Sequence, residues 1–154
     1  MARSPRRTTR LAQVCGALND EKASYILVGA AALQIWGTTR ATRDIDILIE
    51  PTVPNARRVL RALTAIGLGI ARELSAEEIV TRPVTLIGDI PNVDILTRAW
   101  HVRYADARPR AEVFTIEGVR IPTASIDDLI ESKRTGRLQD AADIEVLEAI
   151  RKMR

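Results

Sequence analysis

Two aspartates stand in the segment that otherwise looks most like a buried strand. Residues 44–50 read DIDILIE and are followed by Pro51. The β-branched residues and the alternation at the start predict a strand that stops at the proline. At about 3.3 Å per residue, Asp44 and Asp46 would lie on one face, roughly 6.6 Å apart. Because aspartate is depleted in strands and costly to bury unpaired, this face must offer the pair a partner.

A third aspartate occupies another short apolar run. Residues 84–87 (VTLI) and 93–96 (VDIL) predict two strands joined by a loop, with Asp94 inside the second. Mg²⁺ takes one or two protein carboxylates and completes its shell with water and phosphate oxygens, and paired ions clamp entering and leaving oxygens. The three aspartates therefore predict a magnesium site. Alternatively, Asp44 pairs with Arg43 at the surface, and Asp46 and Asp94 face solvent on an edge.

A glycine separates a predicted strand from a predicted helix. The apolar run 25–28 is followed by Gly29, then by strong helix formers over 30–36 and by Gly37. Glycine at such a turn lets a phosphate approach the backbone, and the helix N-terminus offers free N–H groups. An ordinary turn glycine is the alternative interpretation.

Helical spacing on either side of these strands completes the predicted architecture. The patterns predict helices over 11–19, 55–66, 125 to about 135 and 138–153, and a hairpin over 112–121 that turns at Glu117-Gly118. We expect an α/β (α+β) fold in which helices, including the C-terminal ones, pack on a small mixed sheet. The expected organisation is one domain over 11–154 after a flexible basic arm over 1–10.

Composition excludes several classes of protein. Of 154 residues, 23 are Lys or Arg and 20 are Asp or Glu, which gives a net charge of +3. Only 3% of the residues are aromatic, which argues against a protein that binds single-stranded nucleic acid chiefly by stacking bases on aromatic rings. Cys15 is the one cysteine, so neither an intrachain disulfide nor a zinc site is available. We expect Cys15 to be a buried thiol and His101 to be a surface residue. Without an apolar run of membrane length, we expect a cytoplasmic protein.

Several of these residues together resemble a known signature. The residues Gly29-Ala30, Gly37, Arg40, Thr42 and Asp44-Ile45-Asp46 resemble the signature of the polymerase-β-like nucleotidyltransferase superfamily. With Lys133, Arg137, Asp140 and Asp143 further along, the chain is similar to the small abortive-infection-type nucleotidyltransferases of toxin–antitoxin systems. The similarity runs from about Tyr25 to Leu147.

The resemblance implies roles for individual residues. Asp44, Asp46 and Asp94 would bind two Mg²⁺ ions, for which Mn²⁺ could substitute, and Asp94 would activate the attacking hydroxyl, a role for which Asp89 competes. The nucleotide would contact Gly29, Ala30, Arg40, Thr42, Lys133 and Arg137, with Lys133 on its phosphates. Asp140 and Asp143 would support the site or be ordinary acids of a first helical turn. Ala30 departs from the usual Gly or Ser, which removes a hydroxyl contact but keeps the backbone N–H.

The implied activity is transfer of a nucleoside monophosphate from an NTP to a hydroxyl, with release of pyrophosphate. A basic loop over 98–110 and the N-terminal arm would seat tRNA or another RNA as acceptor, and the protein would act as a toxin with a cognate antitoxin. Antibiotic-like small molecules and protein side chains are alternative acceptors. The alternative functions are a non-catalytic nucleotide-binding antitoxin or partner, and a DNA-binding regulator built on helices 125–153.

Overall fold

The computed structural model describes residues 9–38, 42–88 and 92–154. The strands are β1 (Tyr25–Val28), β2 (Ile45–Ile49), β3 (Val84–Ile87), β4 (Val93–Leu96), β5 (Glu112–Ile116) and β6 (Val119–Thr123). The helices are α1 (Arg10–Asp20), α2 (Gly29–Trp36), α3 (Val53–Ala65), α4 (Ala76–Thr81), α5 (Tyr104–Ala107), α6 (Ile126–Ser132) and α7 (Leu138–Lys152), with 3₁₀ turns at Gly69–Glu73 and Arg108–Arg110. Within these ranges no helix is long and apolar enough to cross a membrane.

The strands form one mixed sheet in the order β3-β4-β2-β1-β6-β5. The central strands β1 and β2 are antiparallel, whereas β2 runs parallel to β4 and β1 parallel to β6. Both outer pairs, β3 with β4 and β5 with β6, are antiparallel. The predicted fold class, a small mixed sheet with helices packed on it, is therefore confirmed. This order matters for the site because it places β2 and β4 side by side.

Helices cover the central strands and close the core. Helix α1 packs against α3 and β6, α2 packs against β1 and β2, and α6 pairs with α7. Leu27, Ile47 and Ile95 from the inner strands are fully buried, as are Leu18 of α1 and Leu63 of α3. This continuous apolar core holds the inner strands rigidly, so side chains on β2 and β4 have fixed positions.

One buried polar side chain fastens the start of β1 to the end of β2. Asn55 on α3 is 1% exposed. Its Oδ1 accepts from the backbone N–H of Ser24 at 2.7 Å, and its Nδ2 donates to the carbonyls of Ser24 and Glu50, each at 2.9 Å. All its hydrogen-bonding needs are met locally, so we interpret Asn55 as structural.

Most of the predicted elements are present with small shifts at their ends. The bounds of β1, β3 and β4 are as predicted, while β2 begins at Ile45, so that Asp44 precedes it. The hairpin turn is confirmed, since Glu117 and Gly118 both have positive φ. The 3₁₀ turn at Gly69–Glu73 and helix α4 were not predicted. Cys15 is buried and His101 exposed, as expected.

The prediction of an irregular basic loop over 98–110 is wrong. Ala99 and Val102 form an isolated bridge, and α5 and a 3₁₀ turn follow. The segment is anchored because Val102, Tyr104 and Ala107 are buried. Their spacing matches neither a helix nor a strand repeat, which explains why the periodicity of the sequence did not reveal them.

Helix α6 is shorter than predicted. It ends at Ser132 with Lys133 as its C-cap, not near Thr135. The hydroxyl of Thr135 instead donates to the carboxylate of Asp140 in the first turn of α7, and Gly136 has a φ of +83°. Residues 133–137 thus form a tight connection that belongs to the start of α7.

Candidate active site

A glycine turn brings the start of α2 against the central strand β2. Gly29 has a φ of +68°, a conformation that side chains other than glycine rarely adopt. A Cβ at this position would lie 2.0 Å from Oδ2 of Asp46. The N-cap residue Val28 offers no side-chain hydrogen bond to the first turn, so these backbone N–H groups are available to an anion.

Two of the predicted aspartates form a pair across neighbouring strands. Asp46 on β2 is in register with Asp94 on β4. Because parallel neighbours in register point to the same face, their side chains lie together, close enough for Asp94 to raise the pKa of Asp46. Both are half-buried. The structure thus brings together the two carboxylates that the sequence places on separate strands.

Negative charge outweighs positive charge around the Asp46–Asp94 pair. Burial raises the pKa of Asp46 to about 7, and the hydrogen bond and charge of Asp94 and the charge of Asp44 act in the same direction. Lys133 partly offsets this by favouring the ionised form. A bound divalent cation would reverse the balance, because it favours ionised carboxylates around it. The site therefore has the electrostatics of a cation site.

Asp44 lies at the rim of this pair. It is exposed and stands directly before β2. Its backbone N–H donates to the Oγ1 of Thr42 at 3.1 Å, and its Oδ1 accepts from the Nδ2 of Asn92 at 3.2 Å. It is near enough for its charge to raise the pKa of Asp46. Asp44 is therefore oriented by its neighbours and not by the pairing with Arg43 that the sequence left open.

The residues fit Mg²⁺ that is bound jointly with a substrate. Over residues 9–38, 42–88 and 92–154, no three His, Cys, Asp or Glu side chains form a ready-made metal cluster. The Asp46–Asp94 pair, with Asp44 beside it, nevertheless supplies the small number of carboxylates that Mg²⁺ takes from a protein. Water and phosphate oxygens would fill the remaining positions.

A lysine is held beside the carboxylates by two further acids. The Nζ of Lys133 lies 3.3 Å from Oδ2 of Asp143 and 3.5 Å from Oδ1 of Asp140. All three side chains are largely buried, with exposures of 17% for Lys133, 5% for Asp140 and 11% for Asp143. Since Asp140 and Asp143 are one helical turn apart on α7, they hold the ammonium together. Its charge reaches Asp46, so Lys133 belongs to the same site.

Asp140 also organises the connection between α6 and α7. It accepts a hydrogen bond from Thr135 and another from the Nε of Arg137 at 2.8 Å. Burial alone would raise the pKa of Asp140, but Thr135, Lys133 and Arg137 together lower it. The sequence singled out Lys133, Arg137 and both acids, yet Thr135 was missed because only the early end of α6 brings its hydroxyl to Asp140.

The structure describes three of the four other residues that are predicted to contact the nucleotide. Ala30 lies half-buried in the first turn of α2. Thr42 supports the backbone of Asp44. Arg137 is bound to Asp140, but its side chain is 77% exposed, so it can still meet a ligand. Arg40 and Asp89 lie outside the described residues.

Three arginines of the 98–110 segment, Arg98, Arg103 and Arg108, lie at the far end of the sheet. Arg98 and Arg103 line a cavity with Pro51, which follows β2. Arg108 lines another with the same proline. Asp46 lies five residues back along the strand direction, roughly 16 Å away at about 3.3 Å per residue. These arginines therefore do not adjoin the carboxylates.

A family model described as "Nucleotidyltransferase of unknown function (DUF6036)" matches residues 8–153. No curated protein sequence matches the chain significantly. The matched span includes every site residue named above, which indicates that the glycine turn, the carboxylates and the Lys133 cluster all lie within one family domain.

Two solved structures are similar in fold. One is an antigenic nucleotidyltransferase-like protein from Paracoccidioides brasiliensis, with a TM-score of 0.59 and 13% identity, covering 93% of this chain and 74% of that one. The other is a candidate nucleotidyltransferase from Thermotoga maritima, with a TM-score of 0.55 and 17% identity, covering 93% of this chain and 89% of that one. At these identities the likeness concerns the fold alone.

Proposed function

This chain belongs to the DUF6036 family of nucleotidyltransferases of unknown function, and we propose that it transfers a nucleoside monophosphate from an NTP to a hydroxyl group in an Mg²⁺-dependent reaction. The observation that carries the proposal is the Asp46–Asp94 pair, which lies against the Gly29 turn. The glycine turn at the start of α2 thus adjoins the carboxylate pair, as a joint site for a phosphate and a cation would require.

The protein would bind the triphosphate through backbone and charge. The free N–H groups at the start of α2, including that of Ala30, would meet phosphate oxygens. Lys133 would add a point charge, and its anchoring by Asp140 and Asp143 would hold that charge in place. Thr42, Arg137 and Arg40 complete the proposed nucleotide contacts, the last of them from the resemblance alone.

Asp46 and Asp94, with Asp44, would hold Mg²⁺. When bound, the cations would neutralise charge on the phosphoryl oxygens and lower the pKa of the acceptor hydroxyl. Asp94 would accept the proton of that hydroxyl. The acceptor oxygen would form a bond to the α-phosphorus as the bond from phosphorus to the bridging oxygen breaks, and pyrophosphate would leave.

We further propose a cytoplasmic enzyme whose acceptor is tRNA or another RNA, acting as a toxin neutralised by a cognate partner. Support comes from the sequence resemblance and from Arg10 and Arg43 near Asp44. A second candidate is a protein of this fold that binds nucleotide without turnover, which Ala30 favours because it lacks the hydroxyl that Ser would offer to a phosphate.

The test is incubation of the purified protein with each α-³²P-labelled NTP, Mg²⁺ and total bacterial RNA. The Asp44→Ala/Asp46→Ala variant should lose all transfer, and the Asp106→Ala variant is a matched control because Asp106 is an exposed acid on α5. We expect label in RNA with the wild type and with Asp106→Ala, and no label with the Asp44→Ala/Asp46→Ala variant. Nucleotide binding without label in RNA, protein or small molecules would favour the second candidate and overturn the enzyme.

A further inference from the structure

A cleft opens beside Asp44. It has a volume of about 470 Å³ and lies between the start of α1, helix α2, residues 42–45 and the end of β5. Asp44 lines it, but Gly29, Asp46, Asp94 and Lys133 do not. The cleft thus touches the proposed reaction centre at a single carboxylate and shares Thr42 with the proposed nucleotide contacts, but it does not include the residues proposed to hold the triphosphate.

The lining of the cleft combines an apolar wall with cations. Leu11, Ala31 and Ile116 supply apolar surface, and Arg10 and Arg43 add guanidinium groups. A cleft of a few hundred Å³ with an apolar wall and a few polar groups suits a small organic group. Guanidinium groups bind phosphates through two hydrogen bonds at once. The combination fits a base and ribose with an adjoining phosphate.

Arg43 in particular is available to a ligand. It is exposed and makes no hydrogen bond or ion pair with any described residue. The larger cavity between α3 and α4, of about 750 Å³, also has an exposed arginine, Arg72, without a partner among the described residues, but none of its lining residues belongs to the proposed reaction centre. Its Arg57 and Arg61 are already paired with Glu77 and Glu21. The cleft beside Asp44 is therefore the stronger candidate for an anionic ligand.

We propose that this cleft binds the terminal nucleotide of an RNA acceptor, whose free hydroxyl then meets the reaction centre past Asp44. The inference rests on the proposed function for the identity of the second substrate. The NTP is assigned elsewhere because its triphosphate requires Gly29 and Lys133, and neither lines the cleft. The acceptor must approach the same phosphorus from another side, and the cleft provides that approach.

Binding of fluorescein-labelled oligoadenylate RNA, followed by fluorescence anisotropy without NTP or Mg²⁺, tests the proposal apart from catalysis. The Arg43→Glu variant should bind about tenfold more weakly or worse, the loss expected for a charge-assisted phosphate contact. The magnitude of its log–log salt slope should also fall by about 1. Arg58→Glu is the matched control, because Arg58 on α3 is likewise exposed and unpaired among the described residues and carries the same charge change.

The outcomes separate this inference from the proposed function. Selective weakening by Arg43→Glu, with unchanged binding of a non-hydrolysable NTP analogue and Mg²⁺, supports the acceptor cleft even if no transfer is detected. Equal weakening by Arg43→Glu and Arg58→Glu overturns it, because the effect would then be general electrostatics. Weakened binding of the analogue by Arg43→Glu also overturns it, since the cleft would then hold the NTP, and the proposed enzyme would remain.

Discussion

Replacing Gly29 by alanine should disable the site while the protein remains folded. The new Cβ would lie 2.0 Å from Oδ2 of Asp46, whereas carbon–oxygen contacts are normally well above 3 Å. The Asp46 carboxylate must therefore move by more than about 1 Å. The carboxylate can rotate away, but Cβ of Asp46 would also lie 3.0 Å from the new Cβ. Because that atom is fixed to the backbone, β2 and the glycine turn must also separate by a few tenths of an ångström.

Backbone strain determines the minimum expected loss of stability, and displacement of the Asp46 carboxylate determines the expected loss of rate. Alanine in the left-handed conformation of Gly29 costs about 1–2 kcal/mol of folding free energy. Gly118→Ala is the matched control, because Gly118 has a φ of +78° and an added Cβ there would meet nothing within 4 Å. Both variants should lose at least this much stability, and Gly29→Ala should lose somewhat more because its Cβ also crowds Cβ of Asp46. A misplacement of about 1 Å in a catalytic group can cost about 100-fold in rate, and only Gly29→Ala should show that loss.

Two assays on the same protein preparations distinguish a loss of stability from a loss of activity. Urea denaturation gives the free energy of unfolding, and transfer of label from an α-³²P NTP gives the rate. We expect both variants to remain folded, with Gly29→Ala somewhat the less stable, and we expect transfer to be lost in Gly29→Ala alone. Wild-type transfer by Gly29→Ala would refute the reasoning, because the contact between the glycine turn and Asp46 would then not position the carboxylate.

Three further substitutions test other parts of the structure. Because burial raises the pKa of Asp46 to about 7, the metal-free wild type should lose stability as the pH rises from about 4 through 7, by roughly 2–4 kcal/mol at 1.36 kcal/mol per pH unit. Asp46→Asn should lack this loss when thermal denaturation is measured with EDTA at pH 5 and pH 8. Equal changes of stability with pH in the wild type and in Asp46→Asn would contradict the raised pKa of Asp46. Lys133→Met should cost about 3 kcal/mol in urea denaturation, since Asp140 and Asp143 would stay buried without their ammonium; a loss under about 1 kcal/mol would show that the cluster is not coupled. Asn55→Ala should cost about 2–4 kcal/mol by the same measurement, because three hydrogen bonds are lost, while transfer at a permissive temperature stays near wild type; a selective loss of transfer would give Asn55 a role beyond structure.

The sequence predicts local features of this protein better than long-range ones. β1, β3 and β4 were predicted with their bounds because each is a short apolar run between turn residues. The register that places Asp46 beside Asp94 depends on β2 and β4 being neighbours in the sheet. No local pattern encodes that order, so the pairing, and with it the raised pKa of Asp46, required the structure.

The features that the sequence did not predict also depend on contacts between residues that are distant in the sequence. Tyr104 and Ala107 anchor the 98–110 segment through contacts with the core, which irregular spacing does not reveal. The capping box at Ser125 correctly predicted the start of α6, but its end depends on Thr135 bonding to Asp140 in the next helix. The sequence thus identified Lys133 and its acids without showing how they meet.

The measurement that tests the central claim most directly is crystallography of the protein with Mn²⁺ and a non-hydrolysable NTP analogue. Anomalous diffraction identifies Mn²⁺ unambiguously among the bound atoms. We predict a peak within ligand distance of both Asp46 and Asp94, with the triphosphate on the first turn of α2 at Gly29. A bound analogue whose Mn²⁺ and phosphates lie away from this carboxylate pair would contradict the proposed site.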